Sequence, residues 1–139
     1  RLEFVDEIAG VKYYNDTEAT NTKCTQIALN SFNCDTILIL GGLERGQDFH
    51  DLDNYIKNVR TIVGIGQCRD RVKTYGEELN INTEIFETLS EAMKYIETIA
   101  TSGEVVLLSP ASASWDQYKQ CEDRGDEFKE IVKKLRKKS

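Results

Sequence analysis

Val105-Val106-Leu107-Leu108-Ser109-Pro110-Ala111-Ser112-Ala113-Ser114-Trp115-Asp116-Gln117-Tyr118 is the stretch that decides the fold. Four apolar residues, Val105 to Leu108, read as a buried strand. The chain then breaks into small residues around its only proline. A strand that ends in such a turn leaves backbone N–H groups and hydroxyls free to meet an anion. In an open α/β sheet, ligands collect at the carboxyl ends of the strands. Two further segments share the design. Val11 to Tyr14 runs into Asn15-Asp16-Thr17-Glu18-Ala19-Thr20-Asn21, and Thr36 to Leu40 runs into Gly41-Gly42-Leu43-Glu44-Arg45-Gly46. Three polar strand exits in one chain point to one convergent site.

Periodicity extends the pattern in both directions. Leu2 to Ile8 and Val11 to Tyr14 flank Ala9-Gly10 and predict a hairpin at a sheet edge. Thr20 or Asn21 is placed to cap a helix running to about Asn30, with Cys24, Ile27, Ala28 and Ser31 at helical spacing. Thr36 to Leu40 predicts a strand buried on both faces. A short helix over Leu52 to Val59, a strand over Thr61 to Ile65, a helix over Arg69 to Leu79 and a strand over Thr83 to Phe86 follow. Ser90 is the expected cap of a helix to Ala100, with Ala92, Met93, Ile96 and Ile99 inward. The central strand, Glu104 to Leu108, and a closing helix over Asp126 to Lys137 complete the chain. Alternating strands and helices with short connections predict an α/β, Rossmann-like three-layer domain. Its sheet is mostly parallel, with helices on both faces and an antiparallel edge. All of residues 1–139 are expected to form a single domain.

Composition narrows the function. The 139 residues carry 18 basic and 24 acidic side chains, a net charge of −6, which argues against nucleic-acid binding. The cations Lys129, Lys133, Lys134, Arg136, Lys137 and Lys138 read as a solvated helix face near a C-terminus. No apolar run is long enough for a transmembrane helix. Arg1-Leu2-Glu3-Phe4 shows neither a methionine nor a leader pattern and reads as a cut inside a longer protein. The cysteines, Cys24, Cys34, Cys68 and Cys121, form no C-x-x-C pair and are expected as free thiols of a cytoplasmic protein. No metal site is expected, because the only histidine, His50, has no cysteine near it in sequence. His50 itself reads as a surface residue.

The glycine-rich turn admits two readings. Its glycines let the backbone approach a ligand, and Arg45 offers a planar fork suited to carboxylate or phosphate. Alternatively the arginine simply pairs with Glu44 or Asp48. The turn is not a P-loop, since G-K-[ST] occurs nowhere in the chain. Gly64-Ile65-Gly66 lacks the third glycine of a dinucleotide loop and reads as a strand end. Asp16, Thr17 and Thr20 are each explicable as ordinary capping residues.

Taken together, Tyr14-Asn15-Asp16-Thr17-x-Ala19-Thr20-Asn21, Gly41-Gly42-Leu43-Glu44-Arg45-Gly46, Leu108-Ser109-Pro110-Ala111-x-Ala113-Ser114-Trp115-Asp116-Gln117-Tyr118 and Glu122-Asp123-Arg124-Gly125-Asp126-Glu127-Phe128 resemble the C-terminal domain of the Mur ligases. Within that family the match is to the D-glutamate-adding branch and covers nearly the whole chain. The resemblance implies a share in ATP-dependent amide formation between D-glutamate and UDP-N-acetylmuramoyl-L-alanine. It implies that Asp16 contacts the nucleotide ribose, and that Thr20 and Arg45 bind one carboxylate of D-glutamate. Ser114, with backbone N–H groups near Trp115 and Cys121, is implied to bind the other. Asn15 and Glu18 lie in the same motif, but Glu18 stands where the family usually has lysine, reversing the local charge. Ser112 replaces the usual cysteine.

ATP and Mg are implied for the full-length enzyme, bound by a central domain, with none held by this domain alone. N-terminal and central domains of the same chain are the implied partners, and a monomer is expected. No residue here reads as a catalytic general base. The competing readings are a folylpolyglutamate synthase, against which the Ser109–Tyr118 run argues, and a non-catalytic binding module of the same fold, favoured by Glu18.

Overall fold

Two-residue alternation along the inner strands sets the layers. The computed structural model describes residues 2–139. Its elements are β1 (Glu3–Ile8), β2 (Val11–Asn15), α1 (Thr22–Leu29), β3 (Thr36–Gly41), a 3-10 helix (Phe49–Tyr55), β4 (Val59–Ile65), α2 (Arg69–Glu78), β5 (Asn82–Ile85), α3 (Leu89–Ile99), β6 (Val105–Leu108) and α4 (Cys121–Lys138). They build one six-stranded sheet of order β1-β2-β6-β3-β4-β5. Only β1 and β2 pair antiparallel; every other neighbour pair is parallel. The expected α/β architecture, with its antiparallel edge, is the one observed.

Ile37, Ile39, Val63, Ile65, Val106 and Leu108 pack on one face against Met93 and Ile96 of α3 and Phe128 and Val132 of α4. Leu38, Leu40, Ile62, Val105 and Leu107 pack on the other against Leu29 of α1, Leu52 of the 3-10 helix, and Val72 and Tyr75 of α2. Strands buried on both faces carry continuous apolar runs, as β3 and β6 do. Each such side chain contributes about 1.5–3 kcal/mol by leaving water. No helix among the described residues is long and apolar enough to cross a membrane.

Several local expectations shift. Asn21, not Thr20, caps α1 by accepting from the Cys24 N–H. The buried face of α1 is Thr25, Ala28 and Leu29, so Ile27 is 65% exposed. Packing of Thr25 against Ser109, to whose carbonyl it donates, rotates the helix away from the stripe that hydrophobicity alone suggests. The predicted helix over Leu52 to Val59 is a 3-10 helix begun at Phe49, and Val59 already belongs to β4. Thr88, not Ser90, caps α3, in a capping box with Glu91. Helix α4 starts at Cys121, five residues before the expected Asp126.

That early start matters for the sheet edge. Gly125 sits where α4 crosses the β2 exit; a Cβ there would lie 2.6 Å from Thr17 Cγ2. Gly125→Ala is expected to destabilise the protein by about 1–2 kcal/mol through overpacking. This is despite alanine's helix propensity, which is better by about 1 kcal/mol. Urea denaturation measures it, and a raised midpoint contradicts the close approach.

His50, half exposed, ties the 3-10 helix to α2. Its Nδ1 lies 3.1 Å from Asp53 Oδ2 and its Nε2 lies 2.8 Å from Glu78 Oε1. Tyr75 Oη also donates to Asp53. The bond to Asp53, then that to Glu78, raises the imidazole above its ordinary 6.5. A raised folded-state pKa stabilises fully below the unfolded value and is lost as pH rises through the folded one. The stability gap between wild type and His50→Gln should therefore be widest below about pH 6.5 and close at alkaline pH. A gap that widens with pH reverses the assignment.

Candidate functional site

Because β2, β6, β3 and β4 lie side by side and parallel from β2 inward, their exits share one edge. Backbone bonds lace the loops there. Gly41 N donates to Pro110 O at 2.9 Å, Leu43 N to Ala113 O at 2.9 Å, and Cys68 N to Gly42 O at 3.0 Å. Gly42 takes φ of 154°, and a Cβ on it would lie 2.5 Å from Ala113 O, so glycine permits this contact. Ala111 holds φ of 55°, a left-handed conformation that costs an alanine about 1–2 kcal/mol. Side chains add to the lacing. Gln47 Nε2 donates to Ser112 Oγ at 2.7 Å, and Asp116 Oδ2 accepts from Gln67 N at 2.9 Å.

The β2 exit joins through two buried groups. Asp16 N donates to Leu108 O, and Ser109 Oγ donates to Asp16 Oδ2, both at 2.7 Å. Arg124, the fourth residue of α4, is 1% exposed. Its Nε donates to Thr17 Oγ1 at 2.9 Å, and its Nη2 donates to Thr17 O at 2.8 Å and to Ser112 O at 3.0 Å. Thr17 Oγ1 donates onward to Cys121 O. Burial pushes the guanidinium down to about 10, which leaves it charged at neutral pH. Its Nη1 and the Ser114 Oγ are buried without a hydrogen-bond partner among the described residues.

The residues singled out in the sequence fall as follows. Asn15 and Asp16 are buried, with Asn15 Oδ1 accepting from Thr17 N. Glu18 and Thr20 are exposed on the same loop, and the Glu18 charge helps raise the Cys121 thiol, after burial and Glu122. Ser114 is buried one residue before Trp115, which is exposed. Arg45 is exposed and pairs with neither Glu44 nor Asp48. Glu44 instead receives Arg71 through both carboxylate oxygens, at 2.8 Å each, and Arg71 holds it below the usual carboxylate range. Asp48 caps the 3-10 helix. The only contact of the Arg45 guanidinium among the described residues is the Trp115 ring, with Cζ 5.6 Å from its centroid. The glycine-rich loop and the serine-rich loop are thus brought together.

Beside Asp16 and Glu18 lies an open groove of about 270 Å³, walled by Leu2, Ala19, Cys24, Ile27, Ala28 and Ser31. Of the α1 stripe at helical spacing, Cys24, Ile27 and Ser31 line this groove, and Ala28 is shared between it and the core. No group of three or more His, Cys, Asp or Glu side chains among the described residues is placed to hold a metal ion. Sequence reasoning passed over Arg124 and Ser109 as site residues. A charged residue at the apolar face of a helix, four before Phe128 and Gly-adjacent, is the available signal for the first.

Comparison with known proteins agrees with the geometry. The glutamate ligase domain of the Mur ligases matches residues 1–112. Over 136 residues the chain is 46% identical to the UDP-N-acetylmuramoylalanine–D-glutamate ligases of Bacillus cereus (strain AH187) and Bacillus thuringiensis (strain Al Hakam). These matches cover 97% of this chain but 30% of each relative, so the chain spans less than a third of their length. The solved UDP-N-acetylmuramate–alanine ligase MurC of Thermotoga maritima superposes with a TM-score of 0.63 at 15% identity, covering 96% of this chain and 29% of that one. A murein peptide ligase of Psychrobacter arcticus gives 0.60 at 11% identity, over 79% and 26%. Likeness at such identities speaks for the fold, while the sequence matches speak for descent. The chain belongs to the Mur ligase family, as its glutamate ligase domain.

Proposed function

We propose that this chain is the D-glutamate-binding C-terminal domain of an ATP-dependent ligase that extends UDP-N-acetylmuramoyl-L-alanine in peptidoglycan synthesis. One observation carries the reading. An exposed guanidinium over the Trp115 ring, Arg45, and a buried hydroxyl next to Trp115 in sequence, Ser114, have respectively no carboxylate and no hydrogen-bond partner among the described residues. A substrate with two carboxylates needs two anion-binding points held apart by a rigid frame. In this reading Arg45 and Thr20 receive one carboxylate. Ser114 Oγ, with N–H groups at Trp115 and Cys121, receives the other. The amine is thereby aimed out of the sheet edge toward the acceptor.

The nucleotide share of the domain is small. The Asp16 carboxylate beside an apolar groove suits a ribose and base, whereas the chain offers no G-K-[ST] loop for phosphates. When bound, ATP would supply the phosphoryl group that activates the acceptor carboxylate. Its phosphates and Mg belong, in this reading, to a central domain elsewhere in a longer cytoplasmic, monomeric chain. No residue here takes a catalytic role; the domain positions the amine and closes the cleft.

In the full-length ligase, Arg45→Ala is expected to cost about 2–3 kcal/mol of charge-assisted bonding, read as a raised KM for D-glutamate. An unchanged KM and kcat rule the clamp out. Ser114→Ala and Thr20→Val should impair D-glutamate use far more than ATP binding; loss of ATP affinity instead contradicts the assignment. The 139-residue chain alone should bind D-glutamate weakly and release no phosphate with any acceptor. Full-length protein inactive with D-glutamate, ATP and the acceptor would favour the non-catalytic reading, in which Glu18 is the altered residue.

A further inference from the structure

We propose that the Trp115 indole is a positioning residue: it holds the Arg45 guanidinium at a fixed separation from Ser114 and so selects dicarboxylates of glutamate's length. The inference rests on the D-glutamate reading above and adds a determinant of chain length to it.

Three observations carry it. Trp115 is 62% exposed, one of three large hydrophobic side chains left in water, and the Arg45 guanidinium lies over its ring. The guanidinium, 5.6 Å from the ring centroid, covers one face of the indole. Second, the backbone on both sides of Trp115 is pinned. Ser114 O accepts from Gln117 N at 3.1 Å and Tyr118 N at 2.8 Å, while Asp116 Oδ2 holds Gln67 N. With its neighbours fixed, the indole retains only two torsions. Third, Arg45 has nothing else to fix it. Its exposed loop is held at Glu44 by Arg71 and at its own N–H by Gln47 Oε1, and neither bond reaches the guanidinium.

The geometry suits a relay of position. A guanidinium lying on a ring keeps its edge N–H donors free for a carboxylate in its own plane. The same residue that supports it is covalently next to Ser114, the other proposed anchor. The distance between the two carboxylate contacts is therefore set by one rigid side chain rather than by a flexible arginine. A substrate one methylene shorter or longer would reach one contact and miss the other.

A double-mutant cycle in the full-length ligase tests this. Trp115→Ala should raise the KM for D-glutamate about two- to fivefold with little change in kcat, as expected for an exposed cation–π contact. Trp115→Phe should recover part of the loss. The preference for D-glutamate over D-aspartate should fall in Trp115→Ala. The Trp115→Ala, Arg45→Ala double variant should be no worse than Arg45→Ala alone, a non-additivity that general loss of folding would not produce. Additive effects, or an unchanged KM in Trp115→Ala beside a raised one in Arg45→Ala, overturn the inference and leave the D-glutamate reading intact. An unchanged KM in Arg45→Ala overturns the D-glutamate reading, and with it the selection of substrate length. The stack is also read independently in the 139-residue chain, whose single tryptophan makes its emission unambiguous. Arg45→Ala should increase acrylamide quenching by up to about twofold as one ring face is uncovered. Unchanged quenching shows that no stack exists in solution and overturns the proposal.

Discussion

Arg124 reaches into the carboxyl edge of the sheet from α4, and none of its hydrogen bonds among the described residues goes to a carboxylate. Its donors go instead to the Thr17 hydroxyl, the Thr17 carbonyl and the Ser112 carbonyl. A guanidinium is expensive to bury, and losing any of these acceptors would leave a charge stranded. The β2 exit, the β6 exit and the start of α4 are therefore held in one arrangement by one side chain. Gly125, next in sequence, lets the helix approach Thr17 closely enough for the bonds to form.

Around that tie the sheet edge is rigid. Backbone bonds from Gly41 to Pro110 and from Leu43 to Ala113 fix the glycine-rich loop to the serine-rich one. The strained Ala111 is tolerated because its surroundings leave it no alternative. What stays open is side chains: Arg45, Trp115 and Thr20 are exposed, and the Ser114 hydroxyl has no hydrogen-bond partner among the described residues. A rigid frame with a few uncommitted polar groups is the arrangement expected of a binding site. The chain is acidic overall at −6, and at this edge Arg45 and Arg124 stand among the carboxylates of Asp16, Glu18 and Asp116. Local charge, not net charge, decides what a cleft attracts.

The membership in the Mur ligases and the geometry support each other from different directions. Descent accounts for the order of motifs along the chain. Geometry shows that motifs far apart in sequence come together: residue 16 touches 109, 17 touches 124, and 45 touches 115.

Much was legible in the sequence because its causes are local. Continuous apolar runs with small-residue exits marked β3 and β6, and two-residue alternation divided their side chains between two cores. Asn15 to Asn21, the glycine-rich turn and the Ser109–Tyr118 run are legible as polar strand exits, and the structure brings them to one edge. Tertiary structure decided the rest. The face of α1 depends on Thr25 finding the Ser109 carbonyl, which hydrophobic spacing does not register. The partner of Glu44 proved to be Arg71, 27 residues on, and not its neighbour Arg45, because α2 delivers a second arginine to the loop. The partners of Arg124 are decided in the same way: a buried charge is satisfied by a hydroxyl and carbonyls from elsewhere in the chain. Which carbonyls these are is set by how the helix crosses the sheet.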